Sequence, residues 1–231
     1  MIPLRDENPT RRFPIVTIAL IALNVAMFVY ENSLDPQALQ SFFSQWAFVA
    51  SRFTSDPTSA HEIATVFVSM FMHAGWVHIG GNMLYLWIFG NNVEDRLGRI
   101  PFLAFYLACG VAGVAAQAFI SPGASVPTLG ASGAIAGVLG GYALLFPGAA
   151  VLTLIPIFFF FEIARVPAFI VIGFWFVLQL ANGVASIDPA VAQAGGVAYF
   201  AHIGGFALGV ALVLPLWIGS RFGRRVRGSR Y

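Results

Sequence analysis

Residues Thr128 to Gly141 read TLGASGAIAGVLGG, an uncharged apolar stretch in which one serine, Ser132, stands among glycines and alanines. At about 100° per residue, Gly133, Gly137 and Gly141 share one face of a helix, and Ser132, Ala136 and Gly140 form a second strip beside it. Small residues four apart let helix backbones approach closely, and such strips mark helix packing inside membranes. The stretch therefore points to the interior of a helical membrane bundle. It leaves open whether Ser132 saves space or reacts.

The composition points the same way. Of 231 residues, 58% are hydrophobic and 10% charged, whereas a soluble domain carries about 25% charged residues. A chain this poor in charge cannot clothe itself in a wetted surface, so an integral membrane protein is expected. Six apolar segments, at about 13–31, 75–91, 100–120, 131–147, 166–183 and 199–219, approach the roughly 20 residues that a crossing needs. The fold expected is all-α, a polytopic bundle of six transmembrane helices. It forms one membrane domain over 13–219, between a tail at 1–12 and a basic tail at 220–231. The first segment follows RDENPTRR without a small-residue cleavage site and is read as retained. VLTLIPIFFFF (Val151 to Phe161) is too short to span and contains Pro156, so it is read as interfacial or as merging with the fifth helix. QALQSFFSQWAFVASRF (Gln37 to Phe53) is read as an interfacial loop.

Every basic residue is arginine. With six crossings, Arg5, Arg11, Arg12, Arg96, Arg99, Arg165 and five tail arginines fall on one side, and Arg52 alone on the other. Positive-inside bias then puts both termini in the cytoplasm, as in a bacterial-type plasma membrane, and an organelle inner membrane would read the same. The arginine tail beside an apolar helix is read as a topology anchor on membrane lipids rather than a nucleic-acid site. Cys109, the single cysteine, excludes an intrachain disulfide and reads as core.

That topology brings four polar positions to similar depth on the outer side: Ser132, His202, and the pair His78 and Asn82. Polar groups in spans are costly and tend to mark function. Asp and Glu are absent from the middle of every segment, and H-E-x-x-H is missing, which removes the aspartyl and the simplest zinc-protease readings. Without lysine, a serine nucleophile has only histidine as a base, and His202 is the one within a span. His202, Gly205 and Gly209 share a face. Packing that face on the glycines of the fourth helix brings imidazole over hydroxyl, an arrangement fit for acyl transfer. His78 and Asn82, i and i+4 on the second helix, can donate hydrogen bonds to a developing oxyanion, and the backbone N–H of Ser132 at a helix start could add another. His73 falls on a different face and reads as a support of the loop.

GASG around Ser132, HAGWVHIGGN (His73 to Asn82) and AHIGGFALG (Ala201 to Gly209) resemble the motifs of the rhomboid intramembrane serine proteases, and FGNNVEDRLG (Phe89 to Gly98) resembles the segment after that family's second helix. The resemblance covers roughly 13–219. It implies Ser132 as nucleophile and His202 as base of a dyad, with His78 and Asn82 in the oxyanion region and no cofactor or metal. It also implies transmembrane protein substrates, cut near the outer face through a water-accessible cavity, with the fifth helix and last outer loop gating entry. One position departs from the pattern. Many members carry an aromatic residue four positions after the nucleophile, stacked on the histidine; here it is Ala136, so that either Tyr199 or Tyr142 orients His202 or the stacking is weaker.

Overall fold

The computed structural model describes residues 1–187 and 196–228, with side chains through Gly219. The last three residues of the arginine tail, the side chains of 220–228, and residues 188–195 of the last loop lie outside the described residues.

The chain starts with a strand, β1 (Ile2–Asp6), and then enters α1 (Ile15–Ser33) behind Pro14. The start of α1 is capped from a distance: the Glu94 carboxylate accepts from the backbone N–H of Val16 and Thr17 and from the Thr17 hydroxyl, at 3.0, 2.7 and 2.7 Å. A carboxylate against free N–H groups at a helix start satisfies them and complements the dipole. Three short helices follow, α2 (Pro36–Trp46), α3 (Ala50–Ser55) and α4 (Ala60–Val68). Asp35 caps α2 by accepting from Ala38 N–H, with Pro36 at its first position. Arg52 fastens this region: it donates to the carbonyls of Ser44 and Ala47 and pairs with Glu62 at 3.3 Å.

A sharp bend of 81° separates the α4 end, Ala60–Phe71, from Trp76–Leu97. The latter comprises α5 (Trp76–Tyr85), a wider π-helical turn at Leu86–Gly90 and α6 (Asn91–Leu97). Gly98, at φ +87°, turns the chain into α7 (Arg99–Ile120). Then come α8 (Ser132–Leu145), α9 (Ala168–Ala185) and α10 (Tyr199–Gly228).

Helix α8 is the centre of the bundle, buried continuously from Gly133 to Tyr142. Its neighbours come so close that side chains would not fit. A Cβ on Gly205 would strike the Gly133 carbonyl, and one on Gly209 would strike that of Gly137. Gly137 in turn faces Cys109 of α7, and Gly141 faces the Phe105 ring. Backbone-to-backbone contact of this kind supplies the dispersion that replaces a hydrophobic drive within lipid.

Among the described residues, α1, α7, α9 and the Tyr199–Gly219 part of α10 are long and apolar enough to cross a membrane, and the bent pair makes a fifth crossing if taken together. The chain is thus an integral membrane protein with a polytopic helical bundle. The fourth expected crossing, α8, has 14 residues, which rise about 21 Å against a hydrocarbon core of about 30 Å. By length it is too short to cross that core by itself.

The bundle also carries a three-stranded antiparallel sheet, ordered β1-β2-β3, which hydropathy does not reveal. The run read as interfacial or as merging with the fifth helix forms β2 (Ala150–Ile157) and the start of β3 (Phe160–Pro167), turning at Phe158 and Phe159, and the helix that follows begins only at Ala168. Pro156 disfavours helix there, while β-branched and aromatic residues favour a strand. The residues at 2–6, read as tail, pair along β2. Val151 and Thr153 are fully buried, and Arg165 pairs with Glu7 at 3.1 Å across the base of the hairpin.

Candidate active site

Gly130, at φ +122°, aims the chain into the first turn of α8, and a Cβ there would also strike His78 Nε2. Only glycine fits both demands. Ser132 therefore begins the helix, where first-turn N–H groups have no partner within it. The Gly205–Gly133 contact brings α10 against this turn, and His202 lies one turn earlier on α10. His202 Nε2 is 2.7 Å from Ser132 Oγ.

Ser132, His202, His78 and Asn82 all line one cavity of about 810 Å³. His78 is half-buried, and its ring meets that of His73 edge-on at 5.0 Å. Asn82 is buried and donates from Nδ2 to His73 Nε2 at 2.9 Å. Because His73 Nε2 accepts, its proton sits on Nδ1, facing the Phe71 carbonyl at 3.3 Å. The backbone N–H of His73 donates to both oxygens of Glu31, at 3.3 and 3.2 Å. The loop into α5 is thus tied to the end of α1, and Asn82 is tied to the loop.

Of the two tyrosines left to orient His202, Tyr199 stands edge-on with ring centroids 6.5 Å apart. Tyr142 does not take part. It sits near the far end of α8, its hydroxyl donating to Asp6 Oδ2 at 2.7 Å. Ten residues of helix, about 15 Å, separate it from Ser132. The residues that hold the imidazole come from α9 instead: the Trp175 ring lies 5.8 Å from it, tilted 34°, and Gln179 Oε1 is 2.8 Å from His202 Nδ1.

Gln179 and Glu31 join the site only through the fold. The signal for Gln179 is a strongly polar amide within the fifth apolar segment, costly there without a hydrogen-bond partner. Glu31 stood at a segment end, where a carboxylate ordinarily reaches water; only the packing of the His73 loop over it makes it fully buried.

The Rhomboid domain family profile matches residues 60–219. Rhomboid protein 1, mitochondrial, of Saccharomyces cerevisiae is 31% identical over 196 residues, which cover 83% of this chain and 50% of that protein. Presenilin-associated rhomboid-like protein, mitochondrial, of Mus musculus is 35% identical over 111 residues, 47% of this chain and 29% of that protein. Rhomboid protease GluP of Bacillus subtilis is 32% identical over 131 residues, 55% of this chain and 24% of that protein. The chain spans half or less of the length of these relatives. With the family profile covering most of its length, this chain belongs to the rhomboid family, which is known for intramembrane proteases.

Proposed function

We propose that the chain is an intramembrane serine endopeptidase that cuts transmembrane segments of other membrane proteins near the outer face of the membrane, with Ser132 as nucleophile and His202 as general base. The observation that carries this reading is the 2.7 Å approach of Ser132 Oγ to His202 Nε2 at the wall of an 810 Å³ cavity. A serine that only saved space in a glycine strip would have no need of an imidazole at hydrogen-bond distance.

The chemistry follows from the protons. Ser132 Oγ bonds to the scissile carbonyl carbon while its proton passes to His202 Nε2. The carbonyl oxygen becomes an oxyanion, for which the Ser132 backbone N–H, His78 and Asn82 are the proposed donors. The imidazolium returns the proton to the leaving amine, the C–N bond breaks, and an acyl-enzyme remains. Water entering the cavity repeats the cycle and frees Ser132. The arginine distribution supports both termini on the cytoplasmic side of a bacterial-type plasma membrane, with the cavity toward the outer side.

The test is cleavage of a single-span substrate by the purified full chain in detergent, beside Ser132→Ala. Cleavage by the parent alone supports the reading. Cleavage by neither, across several substrates and with folding verified, overturns it in favour of a protein that binds transmembrane clients without cutting them. Cleavage by both moves the nucleophile to another residue or to a contaminant.

A further inference from the structure

We infer that Gln179 is the positioning residue of the proposed dyad, an uncharged third member that fixes the tautomer and the plane of the His202 ring. This inference rests on the reading of Ser132 and His202 given above.

The hydrogen bonds allow one arrangement. Gln179 Oε1 can only accept, so at 2.8 Å the proton on His202 must sit on Nδ1. Nε2 then keeps its lone pair toward the Ser132 hydroxyl at 2.7 Å. The amide cannot turn over without loss, because Gln179 Nε2 donates to the Trp175 carbonyl one turn earlier, at 3.3 Å. Flipping it would set an N–H against an N–H and a carbonyl against a carbonyl. Trp175 and Gln179, i and i+4 on α9, thus act together: the indole ring bounds the imidazole and the amide sets its proton.

An amide suits this place better than a carboxylate. Gln179 and His202 are both 8% exposed, and an ionised partner there would have to give up its hydration inside the membrane. Glutamine supplies the same directional acceptor without that penalty. Removing the acceptor leaves a buried N–H on the base without a partner, which frees the ring to rotate or to carry its proton on the wrong nitrogen.

Gln179→Met keeps length and apolar contact but removes the acceptor. Gln179→Glu keeps it in either protonation state: protonated, its O–H can serve the Trp175 carbonyl and its C=O the imidazole; ionised, it accepts more strongly. With the full chain in detergent and a single-span substrate, Gln179→Met is expected to lower kcat about 10- to 100-fold, as for an unsatisfied buried donor. KM should stay within about twofold, and Gln179→Glu should recover most of the lost kcat. Gln179→Met with full kcat would overturn the inference. So would a loss of kcat that Glu fails to recover, or a loss confined to KM, since either marks packing rather than proton placement. Parent protein that cleaves nothing would fell the dyad reading and this inference with it; an active parent with a fully active Met variant fells this inference alone.

Discussion

Helix α8 presents a hydroxyl near each of its ends, and both donate or share a proton across 2.7 Å. At one end Ser132 Oγ meets His202 Nε2; near the other, Tyr142 Oη meets Asp6 Oδ2. Distance alone does not separate them. Their surroundings do. Ser132 is half-buried and opens onto the large cavity, whereas Tyr142 is fully buried, its ring against those of Phe89 and Phe146 and its hydroxyl on Asp6 of β1. The partners differ as well: a neutral imidazole can take a proton from an attacking hydroxyl and return it, while a carboxylate facing a phenol has no reacting atom to serve. A short hydrogen bond identifies a catalytic pair only with a route for substrate and a base that can cycle.

The largest effects should separate the two ends completely. Ser132→Ala and His202→Ala are each expected to reduce cleavage by at least about 10⁴-fold, with the thermal unfolding midpoint of Ser132→Ala unchanged, since alanine fits the small-residue strip. If either variant retained a tenth of the parent rate, the contrast between the ends would collapse.

Asn82→Ala comes next. Losing one oxyanion donor costs about 10²–10³ in kcat, and the effect should appear in kcat with KM little changed. Full activity in Asn82→Ala would remove this residue from the oxyanion role and leave it as a tie for the His73 loop.

How much of this was legible follows from range. The bundle and its close contacts were readable because hydropathy and small-residue spacing are local, repeated signals: Gly133, Gly137, Gly205 and Gly209 announce in sequence the faces that meet in space. Ser132, His202, His78 and Asn82 stood out as polar groups in apolar segments. What stayed hidden depends on pairing across the chain. Nothing near Gln179 says that it faces a histidine 23 residues on. Nothing in IPLRD (Ile2 to Asp6) says that it will pair with residues about 150 positions later. Ala136 leaves α8 without an aromatic against His202; Tyr199 of α10 stands edge-on to the ring, while the Trp175 ring and the Gln179 acceptor come from α9, which no local pattern announces.

Effects near the other end of α8 should be small and confined to stability. Tyr142→Phe removes the hydroxyl from a packed ring and is expected to cost about 1 kcal/mol, measured as reversible unfolding in detergent, with cleavage within about twofold of the parent. A large loss of cleavage would mean that the sheet end controls the Ser132 end through the helix between them.

The smallest effect is one of pH. Burial raises the Asp6 carboxyl above its ordinary value, and the Tyr142 hydroxyl only partly offsets this. A group whose folded pKa is raised favours the folded state fully below the unfolded value, and that contribution is lost as pH climbs through the folded one. Ionised Asp6 is therefore a slight burden at neutral pH. Asp6→Asn keeps an oxygen for Tyr142 to donate to and has no charge to desolvate. Its unfolding midpoint should gain on the parent as pH rises from the ordinary aspartate range toward neutrality, with cleavage unaltered. A gain of opposite sign would mean that the Tyr142 hydrogen bond outweighs burial at Asp6. The carboxylate would then be a true anchor of the β1 strand, and the sheet end of α8 would share with the Ser132 end a hydroxyl whose partner matters for its charge.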